Sequence, residues 1–138
     1  MTAELVAGNW KLLSCEVLYE DEPPRKDFGA HPKGVLILTR EGRVALIMTA
    51  EERKAGTGDQ DVSGLFRSMI AYSGKYRVEG NEFISTIDVS WNEAWNGTEQ
   101  RRRYKLDGNT LFVETAPAPA PWDPSKSIVG RLVFEREQ

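Results

Sequence analysis

The chain holds one cysteine and one histidine in 138 residues, and those two shortages exclude most metal and hydrolytic chemistry at the outset. A lone Cys15 cannot build an internal disulfide framework and fits a reducing cytosol, so a cytoplasmic location is expected. With only Cys15 and His31 available, a zinc site of the usual ligand types is not expected. The same lone His31, in a loop beside Pro32, rules out a Ser-His-Asp triad. No apolar run approaches the ~18 residues of a membrane span. Met1-Thr2-Ala3-Glu4 lacks the basic and apolar regions of a secretory signal. Long blocks of like charge are missing too: 18 Lys and Arg are interspersed with 21 Asp and Glu, for a net charge of −3, and only Arg101-Arg102-Arg103 clusters. Nucleic acid and membrane are therefore not expected as partners. Gly-x-Ser-x-Gly elbows, phosphate loops and dinucleotide fingerprints are absent from the sequence, and no cofactor is expected.

What the chain does have is a succession of short strands punctuated by tight turns. Leu5 to Tyr19 reads as a long, bent first strand with Trp10, Leu12 and Ser14 on one face. Glu20 to Lys33, with three prolines, is a surface loop. Val35–Thr39 and Arg43–Met48 flank Arg40-Glu41-Gly42, a hairpin whose glycine suits a positive φ. Glu51 to Asp61 reads as a mobile loop, and the apolar period through Val62, Leu65, Phe66, Met69 and Ile70 predicts one short helix over 62–71 that could plug one barrel end or act as a lid. Tyr72–Glu79 pairs with Glu82–Ser90 through Gly80-Asn81, and Glu99–Leu106 pairs with Thr110–Thr115 through Asp107-Gly108-Asn109. Ala116 to Pro121 alternates Ala and Pro and reads as a stiff extended connection, with Ser127–Glu135 as the last strand. The sum is eight strands and one helix in a single domain over 1–138. The predicted fold is all-β, an eight-stranded antiparallel up-and-down barrel, wide enough to hold one small ligand.

Strand parity nominates the residues that face the interior, because alternate side chains share a face. Tyr72, Gly74, Tyr76 and Val78 oppose the uniformly polar Ser73, Lys75, Arg77 and Glu79, so the tyrosines point in. Gln100, Arg102, Tyr104 and Leu106 share a face opposite Arg101, Arg103 and Lys105, which takes Arg102 inward with Tyr104. Phe83, Ser85, Ile87 and Val89 form the inner set of the strand between, leaving Asp88 and, on its neighbour, Glu99 at the rim. An inward guanidinium needs a carboxylate, backbone carbonyls or a ligand anion, since an unpaired buried charge costs several kcal/mol. Two readings of Arg102 stand: a bidentate anchor for an anionic ligand end, or a structural pair with Glu99, Asp88 or another acid at the barrel end. The tyrosines suit packing or ligand hydrogen bonding better than acid–base work. Trp91 and Trp95, in the loop Trp91-Asn92-Glu93-Ala94-Trp95-Asn96-Gly97-Thr98, either shape the cavity mouth or, for Trp95, pack under the loop and fix its turn, and Trp122 either closes the other end or lies exposed.

Gly8-Asn9-Trp10-Lys11-Leu12, Ala71-Tyr72-Ser73-Gly74-Lys75-Tyr76, Trp95 to Arg102 and Phe134-Glu135-Arg136 carry a resemblance that covers nearly the whole chain. The sequence resembles the bacterial and fungal lipocalin-like domain family. That resemblance implies a calycin-type barrel, with Trp10 covered by Arg136 or Arg131 from the last strand, and small-ligand binding with no defined reaction. Some members belong to natural-product pathways, so secondary metabolism is an implied setting. Members often carry a histidine near the positions of Ser85 and Thr86; none stands there in this chain, and no histidine chemistry carries over. The expected ligand-binding set is Arg102, Tyr72, Tyr76, Gln100, Tyr104, Ser85 and Trp95, acting on a small hydrophobic molecule with a polar or anionic end. The alternative is a cofactor-independent cyclase, isomerase or dehydratase using the same cavity, where confinement supplies much of the rate. A homodimer is compatible with either.

Overall fold

The computed structural model describes residues 5–137; Met1–Glu4, which the signal-peptide argument concerned, and Gln138 lie outside the described residues. The strands are β1 (Gly8–Tyr19), β2 (Lys33–Leu38), β3 (Arg43–Thr49), β4 (Met69–Glu79), β5 (Glu82–Ser90), β6 (Glu99–Asp107), β7 (Thr110–Thr115), β8 (Ala118–Ala120) and β9 (Asp123–Arg136); among the described residues they are joined by the helix α1 (Asp59–Arg67) and a single 3-10 turn, Glu93–Trp95. Neighbours pair antiparallel in the order β1 to β7, then β9, and β9 returns to β1 over Trp10↔Arg136 to Tyr19↔Ile128. The result is a closed, all-β, eight-stranded antiparallel barrel with one helix. The ninth strand does not enlarge it. β7 and the Ala-Pro segment β8 lie end to end along the same edge of β9, β7 against Arg131 to Glu135 and β8 against Asp123 to Ile128.

Tight turns set this meander. Gly42, Gly80 and Gly108 close three hairpins with φ of 99°, 60° and 61°, a region that side chains with a Cβ seldom enter. Two bulges then bend the strands. On β1, Leu12 pairs with Phe134 but Ser14 with Val133, leaving Leu13 as the extra residue. The inner face therefore switches from Trp10 and Leu12 to Cys15, Val17 and Tyr19, and Ser14 is not part of it. On β5, Ser73 pairs with Val89 but Gly74 with Ile87, so Asp88 is the extra residue. This corrects the inner set: Val89 turns outward and is 64% exposed.

The helix also differs from expectation. It runs Asp59–Arg67, earlier than 62–71, because Met69, Ile70 and Ala71 pair with Thr49, Met48 and Ile47 as the start of β4. Sheet pairing outweighs the local helical period there. None of the helix residues is buried, and it meets the barrel through Phe66, whose ring lies 6.2 Å from that of Trp91.

The two barrel ends are unlike. At one, Trp10, Leu38, Val44, Phe83, Leu111 and Phe134 fill the interior with almost no exposed surface. Trp10 donates its Nε1–H to Val6 O at 2.9 Å, and the Arg136 guanidinium stacks over its ring at 4.2 Å. Arg131, the other expected cover, is drawn instead to Glu114. The opposite end is hollow.

Candidate functional site

The hollow end is a cavity of ≈ 90 Å³ walled by the inner faces of β1, β3, β4, β6 and β9. Its polar side is Arg102, Gln100 and Thr115; its apolar side includes Cys15, Met48 and Ile70. Four aromatic rings border it. Tyr72 and Trp95 lie 5.5 Å apart, Phe28 and Trp122 meet edge to face at 5.6 Å, and Trp91 backs Trp95 at 5.1 Å. Trp122 therefore shares this end with Trp95; it neither closes the far end nor lies exposed, which corrects the sequence expectation. The Ala-Pro strap carries it there and Tyr19 holds it. Trp122 Nε1–H donates to Tyr19 Oη at 3.0 Å, and Tyr19 in turn donates to Asp27 Oδ2 at 2.6 Å, with Arg25 stacked 4.2 Å over the Tyr19 ring. Burial first, and then the hydrogen bond to Asp27, raise the Tyr19 hydroxyl above its usual range, so the relay stays protonated at neutral pH.

Arg102 is the one charged side chain of the cavity lining among the described residues, and it is only 8% exposed. Its Nη1 donates to Gln100 Oε1 and to Arg101 O, both at a long 3.3 Å. Gln100 is steadied in turn by its Nε2–H bond to Thr98 Oγ1 at 2.8 Å. The carboxylates that could have neutralised Arg102 are engaged on the outer wall: Asp88 with Arg43 at 2.8 Å, Glu99 with Arg101 at 3.5 Å and with Arg77 at 3.8 Å. The Arg43 hydrogen bond holds the Asp88 carboxyl below its usual range, which keeps that charge where it is. Among the described residues Arg102 has no carboxylate at ion-pair distance. Nε and Nη2, the edge of the guanidinium that grips a carboxylate in a fork, are left without a described acceptor.

Of the expected set, the structure brings Arg102, Gln100, Tyr72 and Trp95 to this cavity. The other three are interior but apart from it. Tyr76 gives its hydroxyl to Thr39 O at 2.7 Å beneath the β2–β3 hairpin. Tyr104 is half-buried with its ring 6.0 Å from Phe83. Ser85 sits in register between Tyr76 and Gln100, 1% exposed, its Oγ without a hydrogen-bond partner among the described residues.

Cys15 lines the cavity and was missed by parity, because the Leu13 bulge is not visible in the sequence. Burial, reinforced by the charges of Asp27 and Glu16, pushes its thiol from 9.0 up to about 12. It is a neutral, unreactive wall group. The native state thus keeps a proton that the unfolded chain gives up above pH 9.0, so folding stability falls as pH rises from 9.0 toward about 12. The full loss is about 4 kcal/mol. Chemical denaturation at pH 8 and pH 11 checks this: Cys15→Ala is expected to flatten the alkaline decline, and an unchanged slope would refute the assignment.

The chain belongs to the lipocalin-like domain family, whose profile matches residues 7–137. A lipocalin-like barrel points to the binding of small hydrophobic ligands in general. Among solved structures it is similar to an uncharacterized protein from Bacteroides eggerthii, at 14% identity and a TM-score of 0.45, over 95% of this chain and 98% of that one. No curated protein matches. Among the described residues no three His, Cys, Asp or Glu side chains cluster to hold a metal ion, and no helix is long and apolar enough to cross a membrane.

Proposed function

We propose that the protein binds a small hydrophobic molecule bearing an anionic end, which the free edge of Arg102 holds inside the barrel. One observation carries this reading: a buried guanidinium faces an apolar cavity while the nearby carboxylates, Asp88 and Glu99, are paired elsewhere. A fold that merely needed an internal ion pair would have turned Glu99 or Asp88 inward. Gln100 orients the guanidinium, Tyr72 and Trp95 form one wall, and Trp122 with Phe28 covers the mouth. The lone, buried Cys15 suits a reducing compartment, and the cytoplasm is the location that goes with this reading.

Trp95 and Trp122 border the cavity whereas Trp10 lies in the filled end, so ligand entry is expected to alter the emission of the first two. Titration of the full chain with apolar carboxylates and with their neutral amides is expected to give saturable quenching by the acids. Charge-assisted hydrogen bonds put the preference for acid over amide at about 10- to 100-fold. Equal affinity for the two would remove Arg102 from the site.

A further inference from the structure

The cavity's size and wall chemistry narrow the ligand further, given the reading above that Arg102 takes an anion. We propose that the ligand is a small aromatic monocarboxylate, with an apolar body no larger than one six-membered ring. At ≈ 90 Å³ the space is smaller than the roughly 150 Å³ apolar hole that accepts benzene in a protein core. It also falls well short of the roughly 300 Å³ at which drug-sized pockets begin. A long acyl chain finds no further room inside the barrel. The far half is filled by Trp10, Phe83 and Phe134, and Trp122, which Tyr19 pins through its hydroxyl, narrows the mouth. Met48, unbranched and flexible, is the wall residue that can shift to admit a ring.

The wall favours a ring over an aliphatic body of equal carbon count. The pairs Tyr72–Trp95 and Phe28–Trp122 present ring faces and edges from two sides, and the sulfur atoms of Cys15 and Met48 present polarisable contacts between them. With one cation and no acid in the lining, a monoanion is neutralised whereas a second carboxylate would be buried without a partner.

Isothermal titration of the intact chain with benzoate, cyclohexanecarboxylate, palmitate and benzamide tests this directly. Benzoate is expected to bind about 2- to 10-fold tighter than cyclohexanecarboxylate, and palmitate not to bind. Trp122→Ala, which unplugs the mouth, is expected to weaken benzoate and to admit biphenyl-4-carboxylate; the ligand series on the wild-type chain stands even if that variant does not fold. Palmitate binding as tightly as benzoate, or cyclohexanecarboxylate binding more tightly, would overturn the ligand class while leaving Arg102 as anchor. Benzamide matching benzoate would instead overturn the anion reading on which the class rests, and no binding by any of the four would overturn both.

Discussion

Arg102→Met raises the midpoint of thermal unfolding by several degrees and, in the same protein, removes carboxylate binding. The side chain is 8% exposed, and its two hydrogen bonds, to Gln100 Oε1 and Arg101 O, are both long at 3.3 Å. A guanidinium so placed loses most of its hydration and recovers little of it from the protein. Methionine fills a similar volume without a charge, faces a cavity whose lining includes Met48, Leu132 and Cys15, and relieves that desolvation. Replacing poorly compensated buried charge with well-packed apolar groups gains about 1–4 kcal/mol in other proteins. The sign is the informative part. A residue kept for stability lowers the midpoint when replaced, whereas a residue kept for a ligand raises it. Thermal denaturation of wild type and variant without ligand, then with saturating benzoate, separates the cases: ligand should raise the wild-type midpoint alone.

Gly74→Ala is expected to be the most damaging single-methyl change in the chain. A Cβ at this position would lie 2.1 Å from Thr86 O and 2.8 Å from the Thr86 carbonyl carbon. Both are backbone atoms of β5, so no side-chain rotation relieves the clash. The crowding arises because β5 bulges at Asp88 across from Gly74, bringing its chain close over the glycine. Overpacking of this kind costs about 3 kcal/mol or more, a large part of the roughly 5–15 kcal/mol that holds a domain together. The bulge is also what turns Val89 outward beside Asp88, which pairs with Arg43, while Tyr72 keeps its place in the cavity wall. Loss of Tm by about 10 °C, or failure to fold, is expected in thermal denaturation monitored by circular dichroism. A Gly74→Ala variant as stable as wild type would mean that β4 and β5 do not approach in this way. Gly80, by contrast, has open space around it and owes its identity to its φ of 60°.

The fold was legible in the sequence where local rules decide it. Turn glycines located the hairpins, and the alternation of polar and apolar residues placed Tyr72, Tyr76, Gln100, Arg102 and Tyr104 on the inner face. Parity failed at two places, Ser14 and Val89, each just past a bulge that inserts one residue and inverts every later side chain on the strand. The helix boundary failed because Met69 and Ile70 satisfy a helical period and a strand equally well, and only the partners on β3 decide between them. The cavity itself was half legible. Inward polar groups were identifiable, but which of them converge depends on where the barrel is filled, and that follows from long-range packing. Tyr76 and Ser85 fall on the same face as Tyr72 yet lie toward the filled end. Trp122 and Phe28 reach the cavity from a strap and a loop whose course no periodicity encodes.

The outer wall offers a contrast that supports this division. Ile84 faces away from the main core yet is 1% exposed, in register between Arg77 and Arg101. Those arginines pair with Glu79, Glu82 and Glu99, and farther round Glu114 is held ionised, first by Arg131 and then by Arg103. Acids and bases on the outside are thus matched to one another across strands, and Arg102 inside is the exception.

The most direct test follows the Arg102 Nε–H itself by nitrogen–proton NMR of the side-chain resonances. A buried guanidinium gives a protected signal, assigned by its loss in Arg102→Met. Adding benzoate is expected to move that signal strongly as the Nε–Nη2 edge takes up the carboxylate, and benzamide is expected to leave it in place. A signal that stays fixed at saturating benzoate while the Trp95 and Trp122 indole signals shift would show that the ligand binds without Arg102, and would contradict the account.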